Sequence, residues 1–135
     1  MNIVVDTNIL FSALYDPDSN AGLLIMAAID GVIDLYAPDT VKEEITRTVK
    51  NKLSYTEEEA EELITSLPVK WIESEAYASS MPYAKTQLSH ENDVPILACA
   101  LMLGYDIVSG DKHLLNIKPE IVKVWALCEL VKKLA

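Results

Sequence analysis

Apolar residues in this chain fall into two alternating kinds of stretch. Short unbroken runs, several rich in Val and Ile, read as strands buried on both faces. Between them, apolar positions recur every three or four residues, the spacing of a helix with one buried side. The first run, Ile3-Val4-Val5, leads directly into Asp6-Thr7-Asn8 before Ile9, Leu10 and Phe11 resume the apolar pattern. This predicts a strand and then a short helix over residues 8 to 14, closed by the turn cluster Asp16-Pro17-Asp18-Ser19. Asn20 is placed to cap a second helix, in which Leu23, Leu24, Ala27 and Ala28 recur at helical spacing and Gly31 is the stop. Val32 to Ala37 reads as a second strand, broken at Pro38.

A third helix follows, with Asp39 or Thr40 as its cap and Val41, Ile45, Thr48 and Val49 as its inward stripe. Glu44 lies at the edge of that stripe, whereas Glu43 points outward, in reach of Arg47 one turn on. Thr56 and Glu59 form a capping box ahead of the apolar positions Ala60, Leu63, Ile64 and Leu67. Val69 to Ile72 is a third strand, and Glu73 to Gln87 a weak helix interrupted by Pro82. From Asp93 a further helix begins, with Pro95 in its first turn, where a missing N–H costs nothing. Its residues Ile96 to Leu103 are apolar almost all round, so it is a buried helix, and Gly104 ends it. Tyr105 to Ser109 is a strand that runs into Gly110-Asp111, Lys112 to Ile117 a short helical turn, Ile121 to Val124 a last strand, and Ala126 to Leu134 a closing helix. Strands alternating with helices predict an α/β fold: a parallel sheet covered on both faces.

A chain of 135 residues, half of them hydrophobic, fits a single domain over residues 1–135 with one core. No apolar run reaches the length of a membrane span, and the start lacks the basic segment of a signal peptide. Cys99 and Cys128 both fall in apolar helical patterns without CxxC spacing, so they read as reduced core thiols of a cytoplasmic protein and not as a zinc site. The net charge of −10 argues against a broad basic surface for nucleic acid, but leaves room for a small acidic metal pocket acting on phosphates. No Lys or Arg precedes Lys42; Lys42, Arg47, Lys50 and Lys52 then cluster on one predicted helix. The run Glu57-Glu58-Glu59-Ala60-Glu61-Glu62 reads as a solvated helix start, where acids complement the dipole.

Four acids fall at element ends. Asp6 and Asp111 follow strands, Asp93 starts a helix, and Glu44 sits on the helix after the second strand. In a parallel sheet these positions share the carboxyl rim, where ligands bind. Singly, each has a bland explanation: Asp6 and Asp93 as helix caps, Glu44 as a surface acid, Asp111 as a turn residue. Together, without a cation, they would repel one another and raise each other's pKa. An all-oxygen cluster suits Mg²⁺ or Mn²⁺, and such a site supports phosphoryl hydrolysis by an activated water. Ser109 can orient a water or satisfy a backbone group, and His90 and His113 have no partner at ligand spacing.

The stretches VVDTNIL, EEI, NDVPILACAL and VSGDKHLL, spread over nearly the whole chain, resemble the PIN-domain family of metal-dependent nucleases. TEEEAEELITSL and IVKVWALCELVKKL are similar to its branch of toxin components of toxin–antitoxin systems, related to VapC-type ribonucleases. The resemblance implies a three-layer α/β/α sandwich on a sheet of about five parallel strands, flavodoxin-like in order. It implies that Asp6, Glu44, Asp93 and Asp111 bind Mg²⁺ or Mn²⁺ and hydrolyse RNA, with Asn8 and Ser109 as flanking polar groups. Asn92 stands where some relatives carry a further acid, which leaves one metal or two open. RNA would be guided by Lys42, Arg47, Lys50 and Lys112; an antitoxin and a second copy are the protein partners implied. Two other acidic-pocket folds fit less well. A receiver-like phosphoacceptor needs an aspartate on a middle strand, and an aspartyl phosphatase needs one at position 8, where Asn8 stands. A PIN-like binding or assembly module with a weak site is the non-enzymatic alternative.

Overall fold

A computed structural model describes residues 1–135. Its strands are β1 (Asn2–Val5), β2 (Asp34–Pro38), β3 (Val69–Ile72), β4 (Asp106–Val108) and β5 (Val124–Trp125). Its helices are α1 (Thr7–Tyr15), α2 (Asn20–Ile29), α3 (Asp39–Leu53), α4 (Glu57–Ser66), α5 (Ser74–Tyr77), α6 (Met81–Gln87), α7 (Val94–Leu103), α8 (Lys112–Leu115) and α9 (Leu127–Leu134). All five strands are parallel, as expected. The order is β3-β2-β1-β4-β5, in place of the flavodoxin order, which puts β1 and β3 side by side. Here β3 adds to the β2 edge, and the chain then crosses back to pair β4 with β1. The direction of winding therefore reverses at β1, and the crevice between β1 and β4 is the switch point where ligands bind in such sheets.

The helices fall into two packed groups. Helices α4, α3, α1, α2 and α9 pack side by side in that order, whereas α5 and α6 pack on α7, which touches β1, β2 and β4. The core is continuous from Ile3, Val4 and Val5 through Leu35, Ile45, Leu97 and Ile107 to Leu130. Helix α7 is buried from Val94 to Ala100, as its nearly uniform apolar sequence predicted.

Where element ends differ from the sequence expectation, backbone closure explains the shift. Val32 N–H bonds to the Ala27 carbonyl and Tyr105 N–H to Ala100, both after a left-handed glycine, Gly31 or Gly104. Val32 and Tyr105 therefore finish helices and do not start strands. Ile121 N–H closes a turn on Lys118, so β5 begins at Val124 and not at Ile121. Ser19, not Asn20, caps α2 by accepting the Gly22 N–H. Neither Asp39 nor Thr40 caps α3; Pro38 holds that position, and Asp39 instead receives the Ser74 N–H and the Tyr77 hydroxyl, tying α3 to α5. Pro82 does not interrupt its helix but lies in the first turn of α6; the break comes earlier, in a 3₁₀ turn over Ala78–Ser80. The ion pair on α3 joins Lys50 to Glu57, and Glu43 with Arg47 forms none. Cys99 is buried, but Cys128 is exposed, one position off the α9 stripe of Leu127, Leu130, Val131 and Leu134. No helix is long and apolar enough to cross a membrane.

Gly22 is a point where packing overrides propensity. A Cβ there would lie 1.9 Å from the carbonyl oxygen of Pro17. In an open helix, Gly→Ala gains about 1 kcal/mol. Gly22→Ala is expected to lose about 1–3 kcal/mol instead, because backbone has to move to admit the methyl. Urea unfolding measures this; an unchanged or higher midpoint would contradict the packing described.

Candidate active site

The register of the sheet brings the first acid to its place. Val5 pairs with Val108, so the next residues of the two strands, Asp6 and Ser109, emerge side by side on the carboxyl rim. Asp6 is 4% exposed and Ser109 is fully buried. The Ser109 hydroxyl donates to Asp6 Oδ2, the Ile9 N–H donates to Oδ1 at 3.1 Å, and Ser109 Oγ accepts the Asp111 N–H at 2.9 Å. One hydroxyl thus fixes the carboxylate on β1 and the loop that carries Asp111. Burial raises the pKa of Asp6, the Ser109 and Ile9 hydrogen bonds oppose this, and the charges of Asp111 and Glu44 raise it further.

The cap reading of Asp6 is correct, but incomplete. Asp6 caps α1 through Ile9, and Asp111 caps α8 by accepting the His113 N–H at 2.7 Å. Each carboxylate oxygen retains a second lone pair for another partner. Asp93 differs: it ends a 3₁₀ turn at the start of α7, makes no side-chain cap bond, and leaves Oδ2 buried without any partner. Its pKa is pushed up to about 6, by burial first and then by the charges of Asp111 and Asp6, with His90 and His113 pulling the other way. Glu44 faces the same space from α3, its Oε2 accepting the Thr7 hydroxyl at 3.1 Å.

Asp6, Glu44, Asp93 and Asp111 therefore line one cavity of about 130 Å³, with Asn8, Asn92, Thr7 and His90. No three of the ring's acids and imidazoles already converge into a closed metal cage. A wide ring of oxygen donors suits a hard cation that keeps part of its water shell, as Mg²⁺ does. The donor chemistry fits such an ion, and the unpartnered Asp93 oxygen supplies a reason for one to bind there.

Except for Lys112, the basic residues expected to guide RNA lie elsewhere. Lys42, Arg47 and Lys50 line a separate open cleft of about 540 Å³, interleaved with Asp39, Glu43 and Glu73. Lys50 is occupied by Glu57, and Lys52 lies 5.7 Å above the Phe11 ring. Lys112 is exposed beside Asp111 at the start of α8. Thr7 and His90 are cavity residues that the sequence patterns did not single out for the site. Thr7 had a signal only in lying between Asp6 and Asn8, since its partner Glu44 is 37 residues away.

A family model described as PIN domain matches residues 4–132. No curated protein matches the chain. Among solved structures, a toxin–antitoxin complex from Klebsiella pneumoniae contains a chain that superposes with a TM-score of 0.68 at 16% identity, over 93% of this chain and 97% of that one. VapBC2 from Rickettsia felis, bound to a DNA fragment from their promoter, gives a TM-score of 0.64 at 17% identity, over 93% of this chain and 98% of that one. At such identities these two likenesses concern the fold alone.

The state of Asp93 makes a signed prediction. Its folded pKa of about 6 lies above the ordinary 3.8, so between these values the folded state binds more protons than the unfolded one. The Asp93 contribution to stability therefore falls as pH rises through that window. Without divalent cations, Asp93→Asn is expected to be more stable than wild type near neutral pH, with the difference vanishing toward about pH 4. Urea melts in EDTA measure it; a variant less stable at neutral pH would mark Asp93 as a plain structural residue.

Proposed function

The chain belongs to the PIN-domain family, a family of nucleases, and on that premise we propose that it is an Mg²⁺- or Mn²⁺-dependent ribonuclease, the toxin component of a toxin–antitoxin system. The observation that carries this reading is the Asp93 carboxylate, buried with an unpartnered oxygen in a cavity shared with Asp6, Glu44 and Asp111. A surface protein without a cation or substrate to hold has no use for that arrangement, which costs stability. The two structural neighbours being toxin–antitoxin complexes supports the biological setting.

In this reading residues 1–135 form one domain, and Asp6, Asp93 and Asp111 hold the metal. When bound, the metal supplies an activated water and neutralises charge developing on the phosphate. Ser109 aims Asp6 by donating to it, opposes the rise in its pKa that burial causes, and ties the Asp111 loop to the same point. Glu44, steadied by Thr7, ligates the metal or orients the attacking water. Asn8 and Asn92 offer neutral contacts to phosphate oxygens. The pairing of Lys50 with Glu57, and the acids among the other cleft residues, weaken the case for that cleft as the RNA guide. Lys112 is the basic group beside the acids. Leu23, Met26 and Ile29 form an exposed apolar row on α2, each more than half exposed, which supports a protein partner such as a second copy or an antitoxin.

The test is cleavage of end-labelled single-stranded RNA with Mn²⁺, with Mg²⁺ and with EDTA. Discrete fragments that require metal are expected from wild type, and a loss of about a hundred- to a thousandfold from Asp6→Asn, the scale of losing one charge-stabilising group. Comparable turnover in Asp6→Asn at matched stability would refute the assignment.

A further inference from the structure

The cavity of about 130 Å³ is lined by the four carboxylates, two amides and a hydroxyl, with Ile96 and His90 beside them. These polar groups suit a partly hydrated ion and the oxygens of one phosphodiester. The nucleobase beside the scissile bond needs a flat or apolar surface next to them. Of the residues lining the cavity, Asp6, Thr7, Asn8, Asn92 and Ile96 offer no aromatic face; His90 does.

His90 does not stand alone. Its ring stacks on that of His113, with centroids 4.1 Å apart and planes inclined by 27°. The two residues come from different elements, His90 from the approach to α7 and His113 from α8, and so are carried by the segments that carry Asp93 and Asp111. Both side chains are exposed. Their local hydrogen bonds run through the backbone: the His113 N–H donates to Asp111, and the His90 carbonyl accepts the Asp93 N–H. Stacked in this way, the two exposed rings cover one face of each other, and they belong to no group of three metal-ligating side chains.

Resting on the ribonuclease reading, we propose that the His90–His113 stack is a subsite for the nucleobase adjoining the phosphodiester held over the carboxylates. Splayed single-stranded bases stack on His rings as they do on Phe, Tyr or Trp. Stacking needs no basic surface, so it gives an acidic protein a way to hold a polyanion without a positive groove. It is also tolerant of sequence, because every base has a π-face. The two histidines are binding residues: they hold the base next to the scissile bond and contribute equally before and during the reaction.

The experiment uses the full chain with Mn²⁺ and a short RNA whose cleavage bond has been mapped. Copies of this RNA each carry one abasic residue, at successive positions on both sides of the bond. For wild type, an abasic residue at one adjoining position is expected to raise KM about tenfold, equivalent to about 1.4 kcal/mol, with little change in kcat. The variant H90Q/H113Q keeps polar side chains without rings; its KM on the parent RNA should rise by a similar factor, and its abasic discrimination should disappear. H90F/H113F should restore the discrimination. Wild type that cleaves the parent RNA but treats every abasic form alike would overturn the stacking subsite and leave the nuclease reading intact. So would discrimination that survives in H90Q/H113Q. Wild type that cleaves no RNA overturns both.

Discussion

In the middle of the sheet's carboxyl rim, where bulk water barely reaches, the hydroxyl of Ser109 meets the carboxylate of Asp6. Burial drives that carboxyl toward its neutral form, and the hydroxyl and the Ile9 N–H oppose it. The same oxygen accepts the Asp111 N–H, so the ends of β1 and β4 and the loop after β4 share one anchor. The two strands must be neighbours for this to occur, which requires the winding to reverse at β1. The topology of the whole chain is in that sense a condition of a single hydrogen-bonded bridge.

Around the bridge, the other acids are held by different means and at different cost. Asp111 and Asp6 have roles as helix caps, and Glu44 is held by Thr7. Asp93 has no such role, and its desolvated oxygen is destabilising as it stands. Helix α7 makes this tenable. It is buried along most of its length, so the packing of Val94, Ile96, Leu97 and Cys99 fixes where Asp93 must lie whatever the local electrostatic cost. Local rules broken in this way, and compensated elsewhere by packing, are characteristic of binding and catalytic sites.

Much of this was legible because the signals were local. The run Ile3-Val4-Val5 ahead of Asp6, the capping box at Thr56 and Glu59, and the uniformly apolar α7 each led to the element observed. What was not legible depended on contacts distant in sequence, or on backbone closure. Strand order is decided by which edge β3 joins, and nothing in its four residues says so. Val32 and Tyr105 look like strand residues by type, but their N–H groups close the preceding helices. The sequence shows four acids at element ends, and the structure has them around one cavity. Their proposed role as metal ligands rests on oxygen-donor chemistry and on family resemblance. The stacking of His90 on His113 had no signal at all, because the two residues meet only through the fold.

In the proposed reading the acid ring is a divalent-cation site, and the buried, unpartnered oxygen of Asp93 is one of its ligands. Calorimetric titration of Mn²⁺ into metal-free wild type and Asp93→Asn tests it most directly, independently of any substrate. Saturable binding by wild type that is at least about tenfold weaker in the variant, a difference of about 1.4 kcal/mol, is the predicted result. Equal binding by the two proteins, or none by wild type, would contradict it.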